Sequence, residues 1–279
     1  VRCLAKTNAP YAKIAFYLLH VGMFVDIFQS IIMGVVEGFT EFLPVSSTGH
    51  MIVVADWLGV PQDGMVKAYE VIIQFAAILA VVLNYKEKFS PKKITLWMKL
   101  AVAFFPLGAV GFVFAKQVKA MFSVEIVAWM FIIGGIVFLI AEKFYKPQEH
   151  FIDDVEKVSY AQALWIGIAQ VFALIPGTSR AGASIIGAML VGLTRKASAE
   201  FSFLLAFPVM CATTGYDIVK HRSELFTDAH FTVLAVGFVV SFIVAYATIK
   251  LFLKFLETFT FVGFGIYRIL FGAALLAIY

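Results

Sequence analysis

An all-α, polytopic integral membrane fold is predicted by three observations. Apolar residues make up 62% of the chain, charged residues only 14%, and the apolar residues fall in runs long enough to cross a bilayer. A soluble domain carries about 25% charged residues, so this chain lacks the polar surface to cover itself in water. Its mean hydropathy is +0.93. The 279 residues allow at most about ten to twelve passes of roughly 20 residues each, fewer once loops are counted. One membrane domain over 23–279 is expected, and no soluble second domain fits.

Apolar segments run over 24–43, 66–84, 94–115, 124–142, 159–175, 182–193, 198–219, 229–251 and 258–278. Most are long enough to span as helices. The stretches 48–58 and 183–193 are too short, and a length of about eleven residues suits a re-entrant or broken helix. Each follows a polar loop containing proline. The loop YKEKFSPKK at 85–93 is the best cytoplasmic candidate by its lysines, although Lys116 and Lys119 on the following loop weaken the contrast. Residues 1–22 start with Val, show no cleavage site after an apolar core, and read as an extension upstream of Met23.

The net charge of +4 does not point to nucleic acid, because membrane proteins retain Lys and Arg in cytoplasmic loops for topological reasons. Cys3 and Cys211 have neither the number nor the spacing of a disulfide framework or zinc site. His20, His150, His221 and His230 fall near or outside span ends and read as solvated or interfacial. Trp57, Trp97, Trp129 and Trp165 read as interfacial anchors, and the many Phe residues as packing and lipid-facing groups.

An internal repeat organises the chain. GVVEGFTEFLPVSSTGH at 34–50 aligns with GIAQVFALIPGTSRAG at 167–182 when one residue is dropped before the proline. Glu37 then faces Gln170, Phe39 faces Phe172, Pro44 faces Pro176, Ser46 faces Thr178 and Ser47 faces Ser179. Downstream, Leu58-Gly59-Val60 faces Val191-Gly192-Leu193, and Glu70 and Glu200 each open an apolar span. Repeat halves of about 23–115 and 159–251 are expected.

Chemistry concentrates in the two loops. Glu37 and Glu41 stand four apart on a helix and so share a face. Near an apolar bilayer core each carboxylate costs about 2.5–3.5 kcal/mol on insertion scales, so they must meet water, a metal or a cation. Pro44 breaks the helix, and Ser46, Ser47, Thr48 and His50 then gather three hydroxyls and an imidazole, with Gly49 allowing close backbone approach. A serine nucleophile needs a neighbouring base, and His50 lies three residues beyond Ser47. A lone membrane serine more often satisfies a backbone carbonyl, but four such groups together point to a site. In the second loop, Arg180 is the only Asp, Glu, Lys or Arg between Val158 and Thr194. It must pair with carboxylates or with a bound anion. Thr178 and Ser179 precede it, and a Gly-, Ala- and Ser-rich short helix follows, the setting of a phosphate cradle. Because each loop holds the charge the other lacks, the two are expected to meet in one pocket.

At 34–50 and 175–184 the chain resembles the two signature regions of the undecaprenyl-diphosphatase family of the bacitracin-resistance type, with resemblance extending over about 23–279. That resemblance implies a multi-pass enzyme of the bacterial plasma (inner) membrane that hydrolyses undecaprenyl diphosphate to undecaprenyl phosphate and inorganic phosphate. Such an enzyme recycles the lipid carrier for peptidoglycan and confers bacitracin resistance. It further implies a divalent cation, Mg²⁺ or Ca²⁺, an interdigitated inverted repeat with re-entrant helices, and a site opening to the outer face. Residue by residue it places the acidic motif on Glu37 and Glu41, the Ser-rich loop on Ser46, Ser47 and His50, and the second signature on Ser179 and Arg180. Thr178, Ala181 and Ser184 depart from the commoner pattern, and Ala181 removes a hydroxyl there. The expected catalytic set is Ser47, His50, Glu37, Glu41 and Arg180, with Ser46, Thr48, Thr178, Ser179 and Arg180 on substrate phosphate and Glu37 and Glu41 on metal. Partners are the lipid substrate and membrane lipids, with no nucleic acid and room for a homodimer. A lipid-carrier flippase of the same architecture is the competing reading, since broken helices and inverted repeats serve transporters too.

Overall fold

The computed structural model describes residues 25–279 except 62, 226 and 227; the side chains of Lys119 and of 221–229 also lie outside the description. The extension expected at 1–22, with Cys3 and His20, therefore falls outside the described residues, as does the side chain of His221.

The described residues form α-helices and short 3₁₀ turns without a β-strand; a single parallel bridge joins Ile152 and Leu193. The helices are α1 (Ile27–Thr40), α2 (Ser47–Trp57), α3 (Gly64–Asn84), α4 (Ile94–Val113), α5 (Ala115–Ala120), α6 (Val124–Phe144), α7 (Tyr160–Gln170), α8 (Arg180–Leu190), α9 (Arg195–Leu225), α10 (Asp228–Leu256) and α11 (Val262–Ile278). Among the described residues five segments are long and apolar enough to cross a membrane: Gly64–Asn84, Pro91–Val113, Val124–Phe144, Arg195–Lys220 and His230–Leu256. The two short stretches become α2 and α8, eleven residues each. Large apolar side chains face outward all round, among them Phe105, Phe112, Trp165 and Leu270, as contact with lipid allows and water would not. Trp57, Trp129 and Trp165 are exposed as anchors would be. Trp97 is instead packed edge-on against Phe89 and Phe207 at 5.2 and 5.7 Å between centroids.

Helix ends are set by their caps. Asp26 accepts from Gln29 N at 2.7 Å while Gln29 Oε1 accepts from Asp26 N at 2.8 Å, a reciprocal box that starts α1. Ser159 and Gln162 build the same box at the start of α7. In both places the glutamine amide reaches on to the end of the following short helix, Gln29 Nε2 to Leu58 O at 3.0 Å and Gln162 Nε2 to Val191 O at 2.9 Å. Gly59 and Gly192 then turn the chain at φ of 67° and 91°, the left-handed stop that glycine supplies without strain. One constant spacing relates all these pairs.

The same spacing sets Ser46 against Ser179, the two non-glycine residues with positive φ among the described residues, and Pro44 against Gly177. The alignment anchored on the prolines is thus one residue out of step within the loop. What the structure repeats is the backbone bend ahead of the short helix, and the proline sits one position apart in the two copies.

Packing interleaves the segments. α1 lies against α10, and α7 against α4. The first contact is close because a Cβ on Gly38 would stand 2.5 Å from Ser241 O, the small-residue approach that membrane helices use. One buried core gathers Phe42, Phe138, Phe201, Phe203 and Phe261 around α8 and α9; another gathers Met33, Met51, Tyr69 and Ile73 between α1, α2 and α3.

Candidate active site

Glu41, the residue that ends α1, is the centre of the polar cluster. Its Oε1 accepts from Arg180 Nη2 at 2.6 Å, and its Oε2 accepts from Ser47 Oγ at 2.6 Å and from Gln74 Nε2 at 2.9 Å. Arg180 Nη1 donates to Ser202 O at 3.0 Å. The two loops therefore touch directly, through a buried ion pair between the end of α1 and the start of α8. Glu37 is 2% exposed and has Glu41, Glu70 and Arg180 as charged neighbours. Burying these acids is tolerable because Arg180 and the neutral donors Ser47 and Gln74 meet Glu41.

Three buried polar atoms here have no hydrogen-bond partner: Glu37 Oε1, Arg180 Nε and Thr178 Oγ1. An acceptor, a guanidinium donor and a hydroxyl left unmet in an apolar setting are costly unless a ligand meets them. Ser47 and Arg180, both bonded to Glu41, open α2 and α8. Ser179 Oγ caps α8 by accepting from Gly182 N at 3.1 Å, whereas Ser46 makes no side-chain cap on α2. Helix starts of this kind face anions.

The ring nitrogens of His50 are bonded to groups other than Ser47. Its Nδ1 lies 2.8 Å from Ser46 O and its Nε2 2.6 Å from Tyr267 Oη, while its ring stacks on Phe271 at 4.7 Å and Tyr267 at 5.8 Å. A carbonyl can only accept, so Nδ1 carries the proton; in the neutral ring Nε2 then accepts from the Tyr267 hydroxyl. Ser47 and His50, three apart on α2 and expected as a pair, are instead each bonded to other groups, Ser47 to Glu41 and His50 to Ser46 O and Tyr267. The imidazole is drawn sideways into the aromatic face of α11, and the hydroxyl of Ser47 is left to Glu41. Thr48 is exposed.

Gln74, Ser202, Tyr267 and Arg268 complete the surroundings and were not legible in the sequence. Gln74 and Ser202 lie inside apolar runs with no motif around them. Arg268 offered the one available signal, a lone charge in the last apolar segment.

Glu37 and Glu41 are hard oxygen donors, and Glu37 Oε1 is unused by the protein. Two carboxylates completed by substrate phosphate oxygens and water suit Mg²⁺, or Ca²⁺ with more ligands. Among the described residues no group of three His, Cys, Asp or Glu is arranged to hold a metal by itself. The residues fit a cation shared with substrate better than a closed structural site.

Fold and site together define a polytopic helical membrane protein with an acid–serine–arginine centre between two short helices. The chain belongs to the bacitracin resistance protein BacA family, whose profile matches residues 30–274. It is 66% identical over 253 residues to an undecaprenyl-diphosphatase of Sulfurovum sp. (strain NBC37-1), covering 91% of this chain and 99% of that one. It is 63% identical to undecaprenyl-diphosphatase 2 of Pseudoalteromonas translucida (strain TAC 125), covering 91% and 98%. An undecaprenyl-diphosphatase of Methanococcus aeolicus (strain Nankai-3) is 53% identical, covering 90% and 98%.

Proposed function

We propose that this chain hydrolyses undecaprenyl diphosphate to undecaprenyl phosphate and inorganic phosphate at the Glu41–Arg180–Ser47 centre, returning the carrier lipid to cell-wall synthesis. The observation that carries this reading is Glu41 joined to Ser47 and Arg180 at once, beside an unpartnered carboxylate oxygen and an unpartnered guanidinium nitrogen.

Ser47 Oγ attacks the terminal phosphorus, and its proton passes to Glu41 Oε2, the atom it already donates to at 2.6 Å. The bond to the bridging oxygen breaks and undecaprenyl phosphate leaves; water then hydrolyses the phosphoserine. Arg180 turns its fork to the phosphoryl oxygens, with Ser46, Thr178 and the start of α8 around them. Thr48 and Ser179 border the same cradle. His50, held by Ser46 and Tyr267, keeps the loop in shape and takes up a proton if its ring swings free of Tyr267. Glu37 and Glu41 would hold a divalent cation that neutralises charge on the diphosphate.

The topology proposed is an inverted repeat with α1–α2 and α7–α8 as re-entrant hairpins. Ser30 near the start of α1 bonds Tyr69 near the start of α3 at 2.7 Å. Lys99 near the start of α4 bonds Glu156 O, just before α7, at 2.7 Å. The hairpins thus enter from opposite ends of α3. Lys88, Lys93 and Lys99 gather at the α7 end, which supports a cytoplasmic placement of that end and, with it, entry of the α1–α2 hairpin, with Glu37 to His50, from the outer face of the plasma membrane. The same arrangement favours a second reading, a flippase for the carrier lipid.

Phosphate release from undecaprenyl diphosphate by purified protein in detergent with Mg²⁺ or Ca²⁺ is the test. Release that Ser47→Ala abolishes is expected. No release above that control would leave the flippase reading in its place.

A further inference from the structure

Arg268 on α11 is fully buried, and among the described residues no carboxylate pairs with it. Its Nη1 donates to Pro44 O at 3.1 Å, and its Nη2 donates to Gly177 O and Met130 O, each at 2.9 Å. Its Cζ stands 5.2 Å from the centroid of Phe131. Room for the group exists because residue 134 is glycine; a Cβ there would run into Nη2 and come within 2.8 Å of Cζ.

A guanidinium is costly to bury without a counter-charge, so its three carbonyl partners need a reason beyond packing. Pro44 and Gly177 are counterparts in the two repeats. Each lies two residues ahead of a serine with positive φ, Ser46 or Ser179, and three ahead of Ser47 or Arg180. One planar fork therefore fixes both loops at matching points just upstream of the groups that face substrate.

We propose that Arg268 is a positioning residue for phosphoryl transfer. By bridging Pro44 O and Gly177 O it sets the separation of the two loops, and with it the placement of Ser47 Oγ relative to the Arg180 guanidinium. The proposal rests on the reading that Ser47 and Arg180 act on the diphosphate. Lysine keeps the charge but cannot present a planar fork, and misplacement of reacting groups by about 1 Å can cost on the order of 10²-fold in rate.

The test uses the full-length protein in detergent and counts turnover per folded molecule, with folding judged by a monodisperse elution profile. Arg268→Lys and Arg268→Gln should lower kcat about 10²-fold with KM changed less than about threefold. Gly134→Ala, which displaces the guanidinium without removing it, should do the same and covers the case in which the arginine variants fail to fold. A readout independent of activity is intramolecular crosslinking between cysteines placed at Ser46 and Thr178 in a background without Cys3 and Cys211. It should slow or shift to a longer reagent in Gly134→Ala and in Arg268→Lys. Unchanged kcat and unchanged crosslinking in folded Gly134→Ala would overturn the proposal. Absence of phosphate release by the unsubstituted protein would sink the functional reading instead, while crosslinking would still report on the loops.

Discussion

Ser46 and Ser179 hold the same unusual backbone conformation, φ 68° and 76°, each directly ahead of an eleven-residue helix. Residues other than glycine held in such regions cost about 1–3 kcal/mol and collect at functional sites. Two such residues at matched positions, with the reactive Ser47 and Arg180 next in sequence, indicate that the bend aims the side chain following it.

Glycine at position 46 relieves the strain and removes the hydroxyl. Ser46→Gly should therefore keep or raise thermal stability while activity falls. Ser179→Gly should be closer to neutral in stability, because the lost cap on Gly182 costs a few tenths of a kcal/mol when glycine is the replacement. Melting curves in detergent beside phosphate-release rates check both; a melting point lowered by Ser46→Gly would show that the bend is not strained.

Ser47→Ala should reduce turnover by about 10²–10⁴-fold or more. Because Ser47 donates to Glu41 and His50 is bonded to Tyr267, Tyr267→Phe should leave substantially more activity than Glu41→Gln. Equal losses from the two would return the proton to His50. Trapping of phosphate on Ser47, by intact-mass measurement after rapid quench, separates serine attack from direct attack by water.

Much of this centre was legible beforehand and part was not, for physical reasons. An acid or a guanidinium inside an apolar run announces itself by its cost, which is why Glu37, Glu41 and Arg180 stand out, and their complementarity foretells contact. Neutral groups carry no such penalty in the sequence. Gln74 and the Ser202 carbonyl become partners only when α3 and α9 pack beside the loops. The direction in which His50 points depends on Tyr267 and Phe271, more than 200 residues away. The loop alignment failed by one residue because it followed proline identity, whereas the conserved geometry is the bend at Ser46 and Ser179.

The cation reading predicts a specific metal response. Glu37→Gln and Glu41→Gln should each shift the Mg²⁺ or Ca²⁺ dependence of phosphate release to higher concentration, and chelation should abolish release by the unsubstituted protein. Glu37→Gln should do this with less damage to folding, since Glu41 also supports Arg180 and Gln74. Unchanged metal titrations in both variants would remove the carboxylates from metal binding.

At the opposite end of α3, the loop network has its own pH dependence. The Glu156 N–H, and then Lys88, hold the Asp154 carboxyl below the ordinary aspartate range; Lys88, and then Lys93, hold Glu156 below the glutamate range. Partial burial works against the Lys88 ammonium, but hydrogen bonds to Glu156 and Asp154 raise it overall. Lowered acids contribute stability that is present above about pH 4 and lost as pH falls through their folded values. The raised lysine contributes stability that is full below about pH 10 and lost above its raised value. The melting-point difference between the unsubstituted protein and Lys88→Met should be flat from about pH 5 to 9 and shrink below about pH 4. A difference that persists undiminished at pH 3 would mean that Lys88 acts through its aliphatic stem.

The Glu41–Arg180 pair should behave as one unit. Its side chains are 4% and 10% exposed, and removing one partner of a buried pair costs about 3–5 kcal/mol because the other charge is left uncompensated. Arg180→Gln and Glu41→Gln should each destabilise strongly, and the double variant should be less destabilised than the sum of the two. Arg180→Lys tests geometry separately from charge. Lysine can reach Glu41 or the Ser202 carbonyl with its ammonium, but it offers no second planar edge to phosphate oxygens. Folding should survive in Arg180→Lys, with a melting point well above that of Arg180→Gln, while turnover falls by about 10²-fold or more. A fully active Arg180→Lys variant, together with additive destabilisation in the double variant, would mean that the two loops meet without working together.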